Sequence, residues 1–288
     1  MVVATLLWGG TFVVIRDSLR GLDPQALVFA RFALAGAVFS VFVLARGRRP
    51  SRAVLVWGAA SGLFSGTGYL LQAIGLIEIS AGSSAFLTCA GSLFTGLLAW
   101  PLLHQRPGNA LLAGLGLALA GAALLSLDAS LRLGRNELIT LAGALSFAFA
   151  ILAVGKLGSD FDPLALAAVQ SWTTALLLAG AAPLAFEQIS SLSPAGWARF
   201  GYLVVAGSLL ATLLMLTAQR ALPPGRIGLL LALEPVFALV FAVAFGGERF
   251  IARWWLGAAL ILSAVALVEW PSLRGRTKSP ATTARTAE

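Results

Sequence analysis

Apolar residues fall in long blocks along this chain, and the blocks define ten runs: 1–16, 24–45, 53–77, 81–103, 109–127, 137–157, 163–185, 197–219, 226–246 and 253–270. A hydrocarbon core about 30 Å thick is crossed by roughly 20 helical residues, and a helix satisfies its own backbone where no water is present to do so. Runs of this length therefore predict an all-α polytopic membrane protein with ten transmembrane helices. The segments between them are short and carry Gly, Pro or charge, as in RGRRPSR (46–52) and SSLSP (190–194). The stretch GRIGLLLALEPVFALVFAVAFGGERF (225–250) places one acid, Glu234, and one proline, Pro235, near the middle of the ninth run.

The blocks are written twice. Gly82, Leu87, Phe94, Ala99, Arg106, Gly114, Leu117, Ala123 and Leu124 recur 143 positions later as Gly225, Leu230, Phe237, Ala242, Arg249, Gly257, Leu260, Ala266 and Leu267. LDPQAL (22–27) and FDPLAL (161–166) open the second and seventh runs 139 positions apart, and in each the Asp before Pro suits a helix N-cap. Residues 1–132 form the first repeat and 133–270 the second. Residues 271–288, rich in Ser, Thr and Arg, read as a disordered cytoplasmic tail. Five crossings per repeat force the second copy to enter the membrane from the opposite side. That gives two inverted five-helix repeats, an arrangement common in secondary transporters with a central site.

Composition agrees with the pattern: 59% of residues are hydrophobic and 11% charged, against about a quarter charged in soluble domains. The net charge of +8 lies between apolar runs, where it sets topology rather than attracting nucleic acid. With both termini cytoplasmic, the inner segments hold twelve Lys and Arg (46, 48, 49, 52, 106, 156, 220, 226, 274, 276, 278, 285) against seven outside (16, 20, 132, 135, 199, 249, 253). The first run lacks a basic leader region and is expected to be a retained span. Cys89 is the single cysteine, so no internal disulfide forms.

No catalytic constellation is present. His104 is the one histidine, and there is no phosphate-binding loop, HExxH motif or cysteine cluster, so the chain is not read as an enzyme, an ATP-driven pump or a metal or cofactor protein. The polar residues inside the runs are the candidates instead. Glu234 lies near mid-bilayer, where an ionised carboxylate costs several kcal/mol unless paired or protonated. It is read either as a coupling group or as the partner of Arg31 in a structural ion pair, with Gln170 in Arg31's place in the second repeat. Pro235 is expected to bend its helix and free a carbonyl. Trp8, Thr11 and Phe12 on the first run, Tyr69 and Gln72 on the third, Ser84 and Thr88 on the fourth, Phe147 on the sixth and Met215 on the eighth are the candidate substrate-binding residues. The serine and threonine stripe of the fourth run would serve equally as helix–helix glue. Trp57, Trp100, Trp197, Trp254, Trp255 and Trp270 sit at run ends as an interfacial belt.

WGGTFVVIR in the first run, ARFALAG in the second, LEPVFALVFAVAFGGER in the ninth and LGAALILSAVAL in the tenth resemble the drug/metabolite transporter superfamily, EamA type, and look most like the YddG-like amino-acid exporters. The first repeat departs from the pattern, with Gly91, Ser92 and Gln105 where Glu234, Pro235 and Glu248 stand in the second. The resemblance implies an inner-membrane exporter with a central cavity walled by spans 1, 3, 4, 6, 8 and 9. Small metabolites, amino acids including aromatic ones, are the expected substrates, carried by alternating access. The alternatives are a proton-coupled drug exporter, a metabolite exchanger and a channel. The expected partners are a small-molecule substrate and the lipid bilayer, without nucleic acid, and a monomer is an open option.

Overall fold

The computed structural model describes residues 1–47, 49–126, 134–245 and 252–276, and every regular element among them is helical. The helices are α1 (Val2–Ser18), α2 (Pro24–Ala45), α3 (Arg52–Gly75), α4 (Ala81–Leu103), α5 (Asn109–Ser126), α6 (Arg135–Gly155), α7 (Pro163–Leu177), α8 (Ala182–Ser190), α9 (Pro194–Tyr202), α10 (Ala211–Gln219), α11 (Pro224–Leu231), α12 (Glu234–Ala244) and α13 (Arg253–Arg276). Seven segments are long and apolar enough to cross a membrane, or eight if 163–190 counts as one. The N-caps work as their sequences suggest. Asp23 accepts from the Gln25 and Ala26 amides and Asp162 from the Leu164 amide, each with a proline in the first turn.

Three of the expected crossings are interrupted, the ninth where its proline predicts. The seventh bends by 66° between α7 and the segment 179–190, where Gly180 weakens the helix and Pro183 cannot donate to a carbonyl one turn back. The eighth contains a π-helical stretch, Leu203–Leu210, in which the Ser208 hydroxyl donates to the Leu203 carbonyl at 3.2 Å. The ninth breaks at Ala232–Leu233, as Pro235 predicts, because no amide at 235 exists to meet the Leu231 carbonyl. At the C-terminal end α13 continues to Arg276, so helix extends past 270, the expected start of the disordered tail; residues 277–288 lie outside the described residues. Trp254, assigned to the interfacial belt, is instead buried (6% exposed) in a cluster with Leu115, Ile261 and Ala264, whereas Trp100, Trp197, Trp255 and Trp270 are about half exposed or more.

Packing follows the repeat. α3 lies against α6 and α7, and α1 lies against the π stretch, α10 and α12; α4 packs on α6 and α11, α2 on α7, and α5 on α13. Small residues permit these approaches. A Cβ on Gly9 would stand 2.6 Å from the Phe237 Cβ, and one on Gly62 2.6 Å from the Gln170 carbonyl oxygen. Two apolar plugs form at opposite ends of the bundle. Phe12, Ile15, Phe32, Leu203 and Val204 fill the end near loops 19–23 and 191–193. Phe39, Val54, Phe161 and Leu166 fill the end near loops 46–51 and 156–162.

Candidate functional site

Between the plugs lies a cavity bounded by α1, α3, α4, α6, α7, α10, α11 and α12. Its volume is about 70 Å³, well above the roughly 10–15 Å³ that a single water needs. Trp8, Thr11, Tyr69, Gln72, Thr88, Phe147, Met215 and Glu234, all candidates from the sequence, line it together.

Phe12 and Ser84 do not line it. Phe12 is 1% exposed in the plug, one turn beyond Trp8 on α1; Ser84 is fully buried, one turn before Thr88 on α4. Each shares a helix face with a lining residue but lies outside the cavity, since helical periodicity specifies the face a residue shares with its i+4 neighbour but not where along the axis a cavity stops. The cavity reaches further toward the other end, taking in Ser65, Ala150, Ile151, Gln170 and Leu231. Gln170 carried a sequence signal as the repeat counterpart of Arg31, but was not singled out as a site residue.

The lining is itself a repeat. Tyr69 pairs with Thr212, Gln72 with Met215, Thr88 with Leu231 and Gly91 with Glu234 at a shift of 143, while Trp8 pairs with Phe147 and Thr11 with Ala150 at a shift of 139. Equivalent positions from the two halves thus face one space, and their chemistry differs. Only one member of the Gly91/Glu234 pair has an ionisable side chain.

Side-chain hydrogen bonds tie the walls together. The Trp8 Nε1 donates to the Gly207 carbonyl at 2.9 Å, and the Ser146 hydroxyl to the Phe64 carbonyl at 2.7 Å; the two acceptors are 143 positions apart. Gln72 Nε2 donates to Thr88 Oγ1 at 3.1 Å, and Gln170 Nε2 to Ser65 Oγ at 3.1 Å. The Gln170 Oε1 is buried without a hydrogen-bond donor among the described residues.

The expected ion pair between Arg31 and Glu234 is not formed. Arg31 is 1% exposed, its Nε donates to Ser208 Oγ at 3.3 Å, and its Cζ lies 5.6 Å and 5.7 Å from the ring centroids of Phe32 and Tyr69. Tyr69 lines the cavity that holds Glu234, and Arg31 lies against its ring. The ion pairs within 4.0 Å among the described residues are Arg20–Asp17, Arg46–Asp162 and Arg226–Glu269, so Glu234 faces the cavity without a cationic partner there. The rings of Phe32, Tyr69 and Phe147 form a continuous aromatic wall, with centroids 4.8 Å and 4.9 Å apart. No group of three or more His, Cys, Asp or Glu suited to a metal occurs among the described residues.

Comparison with known proteins matches residues 1–127 and 135–270 to the EamA-like transporter family. An Escherichia coli protein named as an uncharacterized inner membrane transporter, YedA, is 26% identical over 276 residues, covering 91% of this chain and 87% of its own. A probable terminal-alkyne amino-acid exporter of Streptantibioticus cattleyicolor is 25% identical over 288 residues, covering 99% and 97%. A probable amino-acid metabolite efflux pump of Escherichia coli is 26% identical over 274 residues, covering 91% and 90%. A protein crystal structure superposes with a TM-score of 0.75 at 22% identity over 96% of both chains, a likeness of fold.

Proposed function

Because the chain belongs to the EamA-like transporter family, we propose that it exports small metabolites, amino acids including aromatic ones, by alternating access to the central cavity. The observation that carries this reading is the cavity wall built from repeat-equivalent residues of both halves. A site on the axis between two related halves is reached from either side when the halves exchange conformations. Ten crossings follow if α1, α5 and the bent segment 163–190 join the seven longer helices, and five per half makes the repeats inverted. The excess of basic residues on loops 46–52 and their neighbours supports both termini on the cytoplasmic side of the inner membrane.

Amino acids suit the lining. An aromatic and small-residue wall receives varied side chains by packing, while the hydroxyls and the Leu231 carbonyl freed before Pro235 meet the polar ends of a zwitterion. Relatives named as amino-acid exporters point the same way. The present cavity is narrow, so a large substrate requires it to widen. The test is efflux and counterflow of a labelled amino-acid panel from proteoliposomes. Saturable counterflow of at least one aromatic amino acid is expected, and its absence across the panel refutes the assignment. Flux that rises linearly with concentration would mark a channel.

A second reading, proton coupling, is favoured by Glu234 as the acid lining the cavity with no cationic partner among the described residues. Such a group carries protons if each side of the membrane reaches it in turn.

A further inference from the structure

Arg31 is a cation that this structure shuts out of the cavity. It is buried seven residues into α2 with no carboxylate within 4.0 Å among the described residues, and Ser208 Oγ is its hydrogen-bond acceptor there. Burial of an uncompensated charge costs several kcal/mol, and cation–π contact offsets about 2 kcal/mol of that. Packing alone does not account for an arginine here, because an apolar side chain would fill the place without the cost.

The repeat supplies the missing context. Gln170 lies 139 positions after Arg31, and Ser65, the acceptor of Gln170, lies 143 before Ser208, the acceptor of Arg31. The two hydrogen bonds, 3.3 Å and 3.1 Å, are one bond made twice, once in each half. Their surroundings differ. Gln170 and Ser65 line the cavity, whereas Arg31 and Ser208 do not, and Arg31 lies 5.7 Å from the centroid of the Tyr69 ring.

In a chain made of two copies in opposite orientation, the opposite-facing state is the one in which each half takes the other's present conformation. The position of Gln170 here then describes the position of Arg31 there. We propose that Arg31 is the carboxylate-binding residue of the opposite-facing state: Tyr69 moves aside, the guanidinium enters the cavity as Gln170 withdraws, and it binds the substrate carboxylate through two parallel N–H···O bonds. The proposal rests on the amino-acid export reading for its ligand and on the repeat for its geometry. A carboxylate bound in one state more tightly than in the other biases the equilibrium toward that state, which an analogue without the carboxylate cannot do.

The test compares L-phenylalanine with L-phenylalaninamide, which lacks the carboxylate, in proteoliposomes holding the full-length protein. Arg31→Gln is expected to lower phenylalanine flux about 10- to 100-fold, the worth of a charge-assisted hydrogen bond, and to leave amide flux at its wild-type level. Arg31→Lys should fall between. Retained amide flux shows that the variant is folded. Equal loss of both fluxes in Arg31→Gln and Arg31→Lys overturns the proposal in favour of a structural cation, and unchanged phenylalanine flux overturns it outright. A second measurement needs no substrate. In a Cys89→Ala background, N-ethylmaleimide should leave Ser65→Cys and Ser208→Cys unmodified in the cold and modify both on warming, as the two states exchange. Ser208→Cys inert under both conditions also overturns the proposal. If the wild type carries neither probe, the amino-acid reading falls, and the labelling still decides whether the Arg31 pocket opens.

Discussion

Replacing Gly9 by alanine tests the closeness of the two halves. Gly9 on α1 faces the backbone of α12, and an added Cβ would lie 2.6 Å from the Phe237 Cβ, 2.8 Å from the Ala238 nitrogen and 3.0 Å from the Phe237 carbonyl carbon. Relief to an ordinary contact of 3.4 Å requires the helices to part by at least 0.8 Å there (3.4 minus 2.6). Neither neighbour is a flexible side-chain end that can swing away. Inserting a methyl into so tight a contact costs about 1–3 kcal/mol, and at about 2–4 °C per kcal/mol the melting temperature should fall by roughly 2–12 °C. Gly116 is the control, since it is exposed on α5 with nothing within 4 Å of its added Cβ. There alanine should raise stability by up to about 1 kcal/mol, through helix propensity. The assay is thermal unfolding of the purified protein in detergent. A Gly9→Ala protein that melts with Gly116→Ala, at or above wild type, refutes the claim that backbone proximity of α1 and α12 is what requires glycine.

Three further outcomes are expected. Wild-type transport should accelerate under an imposed pH gradient and Glu234→Gln should lose that response while keeping its fold; wild-type flux indifferent to the gradient ends the coupling reading. Single cysteines at the exposed positions Gly21 and Gly108, in a Cys89→Ala background, should react with an impermeant maleimide on intact cells at 21 and not at 108, and the reverse pattern inverts the proposed orientation. Arg226 forms a two-pronged ion pair with Glu269, joining α11 to α13 with both side chains largely buried. Glu269→Ala should destabilise by about 1–3 kcal/mol, and an exchanged pair, Arg226→Glu with Glu269→Arg, should regain part of that loss in the same melting assay.

The sequence made some features plain for identifiable reasons. Asp23-Pro24 and Asp162-Pro163 mark helix starts because a carboxylate cap and a first-turn proline act locally, and Pro235 marks a break for the same kind of reason. The 66° bend at 178 had local markers, Gly180 and Pro183, that the unbroken apolar run concealed. The π stretch had none, as LVVAGSLL reads like any membrane helix and its geometry depends on neighbours such as Trp8, which donates to the Gly207 carbonyl. Candidate residues were found by face and mislaid by depth, as with Phe12 and Ser84. Pairing Arg31 with Glu234 follows from sign of charge alone, which says nothing of where each side chain finds room: Arg31 donates to Ser208 against the Phe32 and Tyr69 rings, while Glu234 lines the cavity.

The π stretch has one more consequence. An α-helix turns by about 100° per residue, and the stretch from Leu203 to Leu210 holds extra chain in its wider turns. Deleting any one residue from it would let the segment relax to ordinary α geometry with little change in span length. Because the wider turns absorb the extra residue, the α segments on either side would keep nearly the same phase across such a deletion. Thr212 and Met215 would stay on the cavity wall, whereas the same deletion from a regular α stretch would turn them away by about 100°. A one-residue gap opposite 203–210 in a related chain therefore leaves unchanged which side chains the substrate meets, and equivalence of residues across it must be assigned by rotation about the helix axis rather than by counting along it.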